Sequence, residues 1–101
     1  MAYRVVWSSK ALEDVEAIAT YISRDSISFA SSVVRRILKS SRRLTDFPLS
    51  GRIVPEFEDK NIREVIVYSY RIIYRVRVDV VTIAAVIHGR RILETSVGPE
   101  N

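Results

Sequence analysis

The chain has 101 residues, 48% of them hydrophobic, with 16 Lys or Arg against 12 Asp or Glu, one His and no Cys. This length predicts one domain, and the composition excludes an intrinsically disordered chain, a disulfide framework, a thiolate zinc site and a two-histidine metal cluster. A magnesium ion bound by carboxylates stays open but has no support in the sequence, so no metal or cofactor is expected. The apolar stretch from Val80 to Ile87 is far shorter than the roughly 20 residues that span a membrane. No signal peptide opens the chain, which predicts a cytoplasmic protein.

The first predicted elements are a strand and a helix. Tyr3 to Trp7 predicts a short strand, and Ser8 or Ser9 then offers an N-cap for a helix that runs to about Ser23. Apolar residues recur in this helix at intervals of three and four, and carboxylates occupy its first turns, where they suit the helix dipole. The apolar positions are Leu12, Val15, Ile18, Ala19 and Ile22.

A second amphipathic helix is predicted from about Ile27 to Asp46, and Pro48 ends it because proline cannot continue a helix. The two helices make a hairpin, and each needs a surface to cover its apolar stripe. The residues predicted on the apolar face of the second helix are Ala30, Val34, Ile37, Ser41 and Leu44.

Basic residues are clustered in and after the second helix. Between residues 35 and 52, six basic side chains accompany one acidic side chain, Asp46, so the segment has a net charge of +5. Because arginine binds carboxylates and phosphates bidentately, this favours an acidic or polyanionic partner. A solvated helix face with cross-strand ion pairs is the alternative. The basic residues are Arg35, Arg36, Lys39, Arg42, Arg43 and Arg52.

The second half predicts an antiparallel meander of three strands, at 62–67, 70–77 and 80–88, each rich in Val, Ile or Tyr. In the middle strand, apolar residues alternate with Arg71, Ile73, Arg75 and Arg77, so one face is apolar and the other carries three arginines. This arginine face is the best candidate for a functional surface. The alternative is that the arginines only solvate an exposed sheet face.

The order of elements predicts an α+β fold, in which an N-terminal strand, a helical hairpin and the meander follow one another and the helices pack on one face of the sheet. A single domain is expected over residues 1–93, followed by a flexible C-terminal tail over residues 94–101.

This order of elements, together with several short motifs, resembles the ParE/RelE toxin superfamily over residues 3 to about 93. Each motif is weak alone, but together, in order and at the expected spacing, they make a strong signal. The resemblance implies a plasmid-stabilisation toxin of a type II toxin–antitoxin system, held inactive by an antitoxin and able to arrest growth when free. The motifs are Lys10-Ala11-Leu12-Glu13-Asp14, Phe47-Pro48 followed by Gly51-Arg52, Arg63-Glu64-Val65, the stretch from Tyr70 to Val76, and His88-Gly89-Arg90-Arg91.

RelE-like members of the superfamily cut messenger RNA on the ribosome. Such cutting needs a proton acceptor, a proton donor and cations around the phosphate. Only the arginines of the RelE pattern match, as Arg71 and Arg91. The positions of the RelE lysines fall on or near Ile62 and Glu64, and no tyrosine follows Tyr74.

A second nuclease variant, similar to YoeB, would use Glu56, Arg71 and His88, although Gly89 stands where that pattern has a tyrosine. Under the endoribonuclease alternative, the catalytic residues implied by the resemblance are therefore Arg71, Arg91, His88 and Glu56. A structural role for His88 and an ion pair between Arg71 and Glu64 are the competing interpretations.

ParE-like members are instead taken to bind DNA gyrase, which requires no acid–base set. The sequence resembles this branch more closely, so gyrase is the predicted target, with ribosome-bound messenger RNA as the alternative. An inert relative that retains only antitoxin binding is a third possibility. The resemblance places Arg71, Arg90 and Arg91 together on the predicted toxic or anion-binding surface.

The antitoxin is expected to cover an apolar groove between the helical hairpin and the sheet. Tyr21, Phe29 and Val33 lie where a partner helix could use them.

Overall fold

A computed structural model describes residues 2–90 of the chain. Within these residues the α+β fold is confirmed, with two helices and five strands. A single turn of 3-10 helix, Arg43–Thr45, follows the second helix. The elements are β1 (Arg4–Trp7), α1 (Ser9–Ser23), α2 (Ile27–Arg42), β2 (Arg52–Ile53), β3 (Ile62–Val67), β4 (Tyr70–Arg77) and β5 (Val80–His88).

The strands form one mixed sheet in the order β1-β5-β4-β3-β2. The predicted antiparallel meander is β3, β4 and β5, and β1 adds to its far edge parallel to β5. Parallel strands need a crossover connection, and the helical hairpin begins that connection. The two-residue strand β2, which pairs antiparallel with β3, was not predicted.

The main core lies between the helical hairpin and one face of the sheet. Both helices pack on this face, α1 mainly against β5 and α2 against β3. Removing a large apolar side chain from water stabilises the fold by roughly 1.5–3 kcal/mol, so this layer supplies most of the driving force. Its buried members are Ala11, Val33, Ile37, Leu44, Val67, Ile72, Tyr74, Val76, Val81, Ile83 and Val86.

A smaller core covers the opposite face of the sheet. Residues 54–61 pass over this face, where Val54 and Phe57 pack on Ile73 and Ile87. This is the face that the sequence predicts to be open and arginine-bearing. The structure corrects that prediction, because the covering segment buries the middle of the face and leaves Arg77 exposed at its end.

A β-bulge at Ala84 reverses the alternation of β5. Ile73 pairs with Ala85 and Tyr74 with Ile83, so Ala84 has no partner in β4. The Ser8 hydroxyl donates to the Ala84 carbonyl oxygen at 3.1 Å and accepts from the Ala11 backbone N–H at 3.0 Å. Ser8 therefore caps α1 and fixes it to the bulge.

Two details of α2 differ from the prediction. The α-helix ends at Arg42, and the 3-10 turn takes the chain on towards Asp46. Val33 is buried, whereas Val34, which was predicted in the core, is only partly buried. The other four residues predicted on this face, Ala30, Ile37, Ser41 and Leu44, are buried, so the face is as predicted except that Val33 takes the place of its neighbour Val34. No helix within residues 2–90 is long and apolar enough to cross a bilayer.

Candidate functional site

Arg71 lies at the centre of an ion-pair network with Arg52, Glu56 and Glu64, which we call the Arg71 network and of which Arg71 and Glu64 are buried. The two terminal nitrogens of Arg71 donate to the two carboxylate oxygens of Glu56, each at 2.8 Å. Its Nε donates to Glu64 Oε1 at 2.5 Å, and the other oxygen of Glu64 accepts from Arg52 Nε. The Arg71 side chain is 6% exposed and that of Glu64 is 0% exposed.

Two positive and two negative groups compensate one another in the Arg71 network. The hydrogen bond to Glu56 is the largest of the effects that raise the pKa of Arg71, and Glu64 raises it further against the opposing effect of burial. A bidentate arginine–carboxylate pair is among the stronger ion pairs in proteins. An anionic ligand could therefore reach this guanidinium only by competing with Glu56.

The register of the β3–β4 hairpin explains the pairing of Glu64 with Arg71. Arg71 lies opposite Ile66, which makes Glu64 its diagonal neighbour on the same face. The ion pair between these two residues, predicted as the alternative to phosphate binding, is therefore present. Their burial has a further cause that the sequence pattern did not indicate, namely the segment 54–61 that carries Glu56 over the sheet.

The Gly51-Arg52 motif holds β2 against β3. A Cβ atom at Gly51 would lie 2.5 Å from the Glu64 carbonyl oxygen and 2.6 Å from the Tyr74 hydroxyl oxygen, so only glycine fits. The Gly51 N–H donates to the Tyr74 hydroxyl at 3.0 Å, and Arg63 Nη1 donates to the Gly51 carbonyl at 3.0 Å. This close approach places Arg52 beside Glu64.

His88 lies on the opposite face of the sheet from Arg71. It pairs with Tyr70, and the two rings meet edge to face at 6.0 Å between centroids on the helix side. Arg71 pairs with Ile87 on the other face, where Glu56 covers it. The structure thus brings Glu56 and Arg71 together but separates them from His88.

The remaining predicted basic residues lie at the end of the described chain. Arg90 is exposed, and its backbone N–H donates to His88 Nδ1 at 3.2 Å. Arg91 lies outside the described residues, as does the predicted tail over 94–101. The convergence of Arg71, Arg90 and Arg91 therefore stays a prediction.

Two of the three residues predicted to bind the antitoxin are exposed, and their contact with an antitoxin stays a prediction. Tyr21 is 67% exposed and Phe29 is 47% exposed, and Phe29 packs edge to face against Tyr68. Val33 is 1% exposed and belongs to the main core, so the structure corrects its placement on this surface.

Tyr21 borders a shallow depression of about 390 Å³ between α1 and the edge of β5. Pairing with β1 ends at Ile83, so past that point no strand formed by residues 2–90 lies beside this edge of β5. One carboxylate oxygen of Asp14 accepts from the Val86 N–H at 2.9 Å on this edge. The lining residues are Asp14, Ala17, Ile18, Tyr21, Tyr70, Val86, Ile87 and His88.

Within residues 2–90, no group of three His, Asp or Glu side chains is placed to hold a metal ion.

Residues 5–93 match the family model described as the ParE toxin of the type II toxin–antitoxin system, parDE. The chain belongs to the ParE toxin family. Its coarse assignment as a toxin of a type II toxin–antitoxin system, predicted from the motifs, is thereby confirmed. No curated protein matches the chain in sequence.

Solved structures share the fold of this ParE-family chain. The chromosomal ParDE system from P. aeruginosa aligns with a TM-score of 0.71 at 20% identity, covering 86% of this chain and 96% of that one. The toxin–antitoxin complex RelBE2 from Mycobacterium tuberculosis aligns with a TM-score of 0.63 at 18% identity, covering 87% of this chain and 92% of that one. A mutant of E. coli toxin RelE in the free state aligns with a TM-score of 0.64 at 19% identity, covering 89% of this chain and 86% of that one.

Proposed function

We propose that this ParE-family toxin arrests growth in the cytoplasm by binding DNA gyrase and that a cognate antitoxin neutralises it. The observation that carries the proposal is the division of the predicted nuclease residues between the two faces of the sheet. Glu56 and Arg71 pair on one face, whereas His88 stacks against Tyr70 on the other. A binding mechanism does not need these groups to converge.

The residues at the nuclease lysine positions also support a binding mechanism. Ile62 is 3% exposed in the smaller core, and Glu64 is 1% exposed in the Arg71 network. Neither can supply a cation to a scissile phosphate. Because one positioned general acid or base typically contributes about 10²-fold to 10⁴-fold, a nuclease without these groups would be slow.

The antitoxin partner is proposed from the family and from the exposed surface of the toxin. The relatives from P. aeruginosa and M. tuberculosis are described as toxin–antitoxin systems. On this chain, the depression beside Tyr21 joins apolar side chains to the part of the β5 edge that no strand within residues 2–90 covers, which suits a partner that lays a helix or strand there.

Two assays, one on the purified toxin and one on induced cells, distinguish the proposed function from the endoribonuclease alternative. We expect added toxin to inhibit supercoiling by gyrase, or to produce gyrase-linked DNA breaks, while messages from induced cells stay intact by primer extension. His88→Ala should leave both results unchanged. Codon-positioned cuts that disappear in His88→Ala, with supercoiling unaffected, would overturn the proposal in favour of the nuclease.

The toxic surface is tested by a double substitution at the end of the domain. We expect Arg90→Ala with Arg91→Ala to abolish growth arrest and to leave antitoxin binding largely intact, since two adjacent positive charges raise the local potential that attracts an anionic or acidic partner. Lys60→Ala with Arg77→Ala removes the same charge from exposed sites elsewhere and serves as the control. Full toxicity of the Arg90 and Arg91 variant would refute this assignment.

A further inference from the structure

The outer face of α2 and its 3-10 extension carries five exposed basic side chains, which we call the α2 basic face. Neither α2 nor the 3-10 turn contains Asp or Glu, and none of the five makes an ion pair with a residue in the described range 2–90. The five residues are Arg35, Arg36, Lys39, Arg42 and Arg43.

The five cations point away from the core. At about 100° per residue they occupy an arc about 120° wide, opposite the stripe that contains Val33, Ile37 and Ser41. Residues 35 to 42 rise about 10 Å along the helix axis, so the cations follow a line and do not form a point cluster. Such a line fits a ligand with regularly repeated negative charge.

A shallow depression of about 390 Å³ runs along this face. Its polar lining combines guanidinium, ammonium and hydroxyl groups, the donors that most often contact phosphate in nucleic-acid complexes. A neighbouring depression of about 370 Å³ adds Ser40 and Arg43 on the other flank of the helix. The first depression is lined by Ser32, Arg35, Arg36, Leu38, Lys39, Arg42 and Tyr68.

The scarcity of apolar anchors on the α2 basic face favours nucleic acid over an acidic protein. Protein interfaces accept arginine readily, but they also have a desolvated apolar centre. Here Leu38, at 37% exposure, is the single large exposed hydrophobic residue of the described stretch 30–45. A polyanion backbone needs no such anchor, because released counterions supply most of its binding free energy.

The environment of Tyr68 favours duplex over single-stranded nucleic acid. Single-stranded ligands gain affinity by stacking bases on open aromatic rings. The ring of Tyr68 already has the Arg36 guanidinium over it at 5.6 Å and the Phe29 ring edge-on at 5.8 Å. The aromatic side chain that lines this depression is therefore half-exposed, but its ring is already in contact with Arg36 and Phe29.

We propose that the α2 basic face binds the phosphate backbone of duplex DNA. The contact is independent of base sequence, since it uses side chains that reach phosphates and inserts no element into a groove. The inference goes beyond gyrase binding and does not depend on it, because DNA binding is measured with the toxin alone.

The test compares two triple variants that remove the same three charges. The α2 triple variant is Arg35→Ala, Lys39→Ala and Arg42→Ala. The distal triple variant is Arg4→Ala, Lys60→Ala and Arg77→Ala, at exposed sites with no ion pair to a described residue. Both variants have two arginines and one lysine removed, so their net charge is the same.

Fluorescence anisotropy with a labelled duplex of arbitrary sequence measures the affinity against salt. For the wild-type toxin we expect a plot of log K against log salt with a slope of about −4. For the α2 triple variant we expect a slope of about −1 and an affinity at least about tenfold lower. The distal triple variant should lose less than about threefold in affinity at the same salt, because it removes no phosphate contact. Equal losses in the two variants, or no binding by the wild-type toxin, would overturn the proposal.

Three competitors decide the chemical class of the ligand. Unlabelled duplex of a different sequence should displace the labelled duplex at equal concentration. Polyglutamate of the same charge, and single-stranded RNA of the same length, should compete at least about tenfold less well. If polyglutamate competes as well as duplex, the face binds acidic protein. If single-stranded RNA competes better, the ligand is RNA, and either result refutes the DNA assignment.

Discussion

Glu64 shows how one buried carboxylate determines the behaviour of two arginines. It accepts from Arg71 and from Arg52, yet the side chain of Arg52 is 63% exposed. Removing one partner of a buried pair leaves an uncompensated charge, whereas an exposed pair contributes little. The ion pair of Glu64 with Arg71 should therefore contribute more to the free energy of unfolding than the ion pair of Glu64 with Arg52.

Glu64→Gln tests this inequality. We expect it to lower the free energy of unfolding by about 3 kcal/mol, because the glutamine amide keeps one acceptor oxygen but removes the negative charge that is buried against Arg71. Arg52→Ala should cost less than about 1 kcal/mol, since its guanidinium is mostly in water. Urea unfolding measures both variants, and equal midpoints for the two would contradict the unequal roles.

The Tyr74 hydroxyl connects the pH dependence of stability to the Gly51 turn. Burial raises the pKa of Tyr74, and the hydrogen bond from Gly51 partly opposes that effect. Because the folded protein disfavours the ionised phenol, the stabilisation is complete below the unfolded pKa of about 10 and is lost as the pH rises through the higher folded value.

Tyr74→Phe isolates this contribution. At neutral pH we expect it to lower the free energy of unfolding by about 1–3 kcal/mol, since the Gly51 N–H loses its acceptor. Above pH of about 10 the difference from wild type should shrink, because only the wild type has this phenol to ionise. Tyr21→Phe, at a side chain 67% exposed, is the control. A constant difference across that pH range would contradict the assignment.

The N-caps of α1 and α2 illustrate how a helix end can also join two layers. Both are serines whose hydroxyls accept from a backbone N–H three residues on. Ser8 also donates to Ala84 at the bulge of β5, whereas Ser26 contacts the Ser28 hydroxyl on the surface. The first cap therefore holds a helix to the sheet, and the second only begins a helix.

Ser8→Ala and Ser26→Ala separate capping from docking. We expect Ser26→Ala to cost about 1 kcal/mol, the usual value for a cap. Ser8→Ala should cost about 1 kcal/mol more, because the Ala84 carbonyl loses a donor as well. Thermal or urea unfolding compares them, and equal costs would show that the Ala84 contact contributes nothing.

Regular elements could be predicted from the sequence because their signals are periodic. The helices and the meander follow apolar spacings of 3.6 and 2, and turn residues bound them. The segment 54–61 has no period, so neither its packing on Ile73 nor the burial of Arg71 beneath it could be predicted. The alternation in β4 predicted which residues share a face, but not whether that face is covered.

The errors at finer detail have local causes. Strand β2 has two residues and pairs only through the close approach at Gly51, which leaves no sequence period. Val33 and Val34 differ by one helical position, and both are apolar, so the pattern could not decide which one faces the core. His88 was grouped with Arg71 because both match family motifs, although the pairing register puts them on opposite faces.

The charge of the whole toxin, +4 with a pI of about 9.8, predicts that electrostatics governs its association with an acidic antitoxin. Long-range attraction accelerates encounter and is screened by salt. Between about 50 mM and 500 mM salt we expect the association rate constant with the antitoxin to fall about tenfold or more, with a smaller change in the dissociation rate constant. A salt-independent association rate would contradict this expectation.

The two triple variants then show whether the antitoxin and DNA use the same part of the toxin. Each lowers the net charge from +4 to +1, so both should slow association with the antitoxin by similar factors, because steering depends on the summed field. Neither should raise the dissociation rate constant more than about threefold, since the proposed antitoxin groove beside Tyr21 contains none of the six residues. Stopped-flow mixing measures both rate constants. A dissociation rate raised about tenfold in the α2 triple variant alone would place acidic antitoxin side chains on the α2 basic face, and DNA would then have to compete with the antitoxin for it.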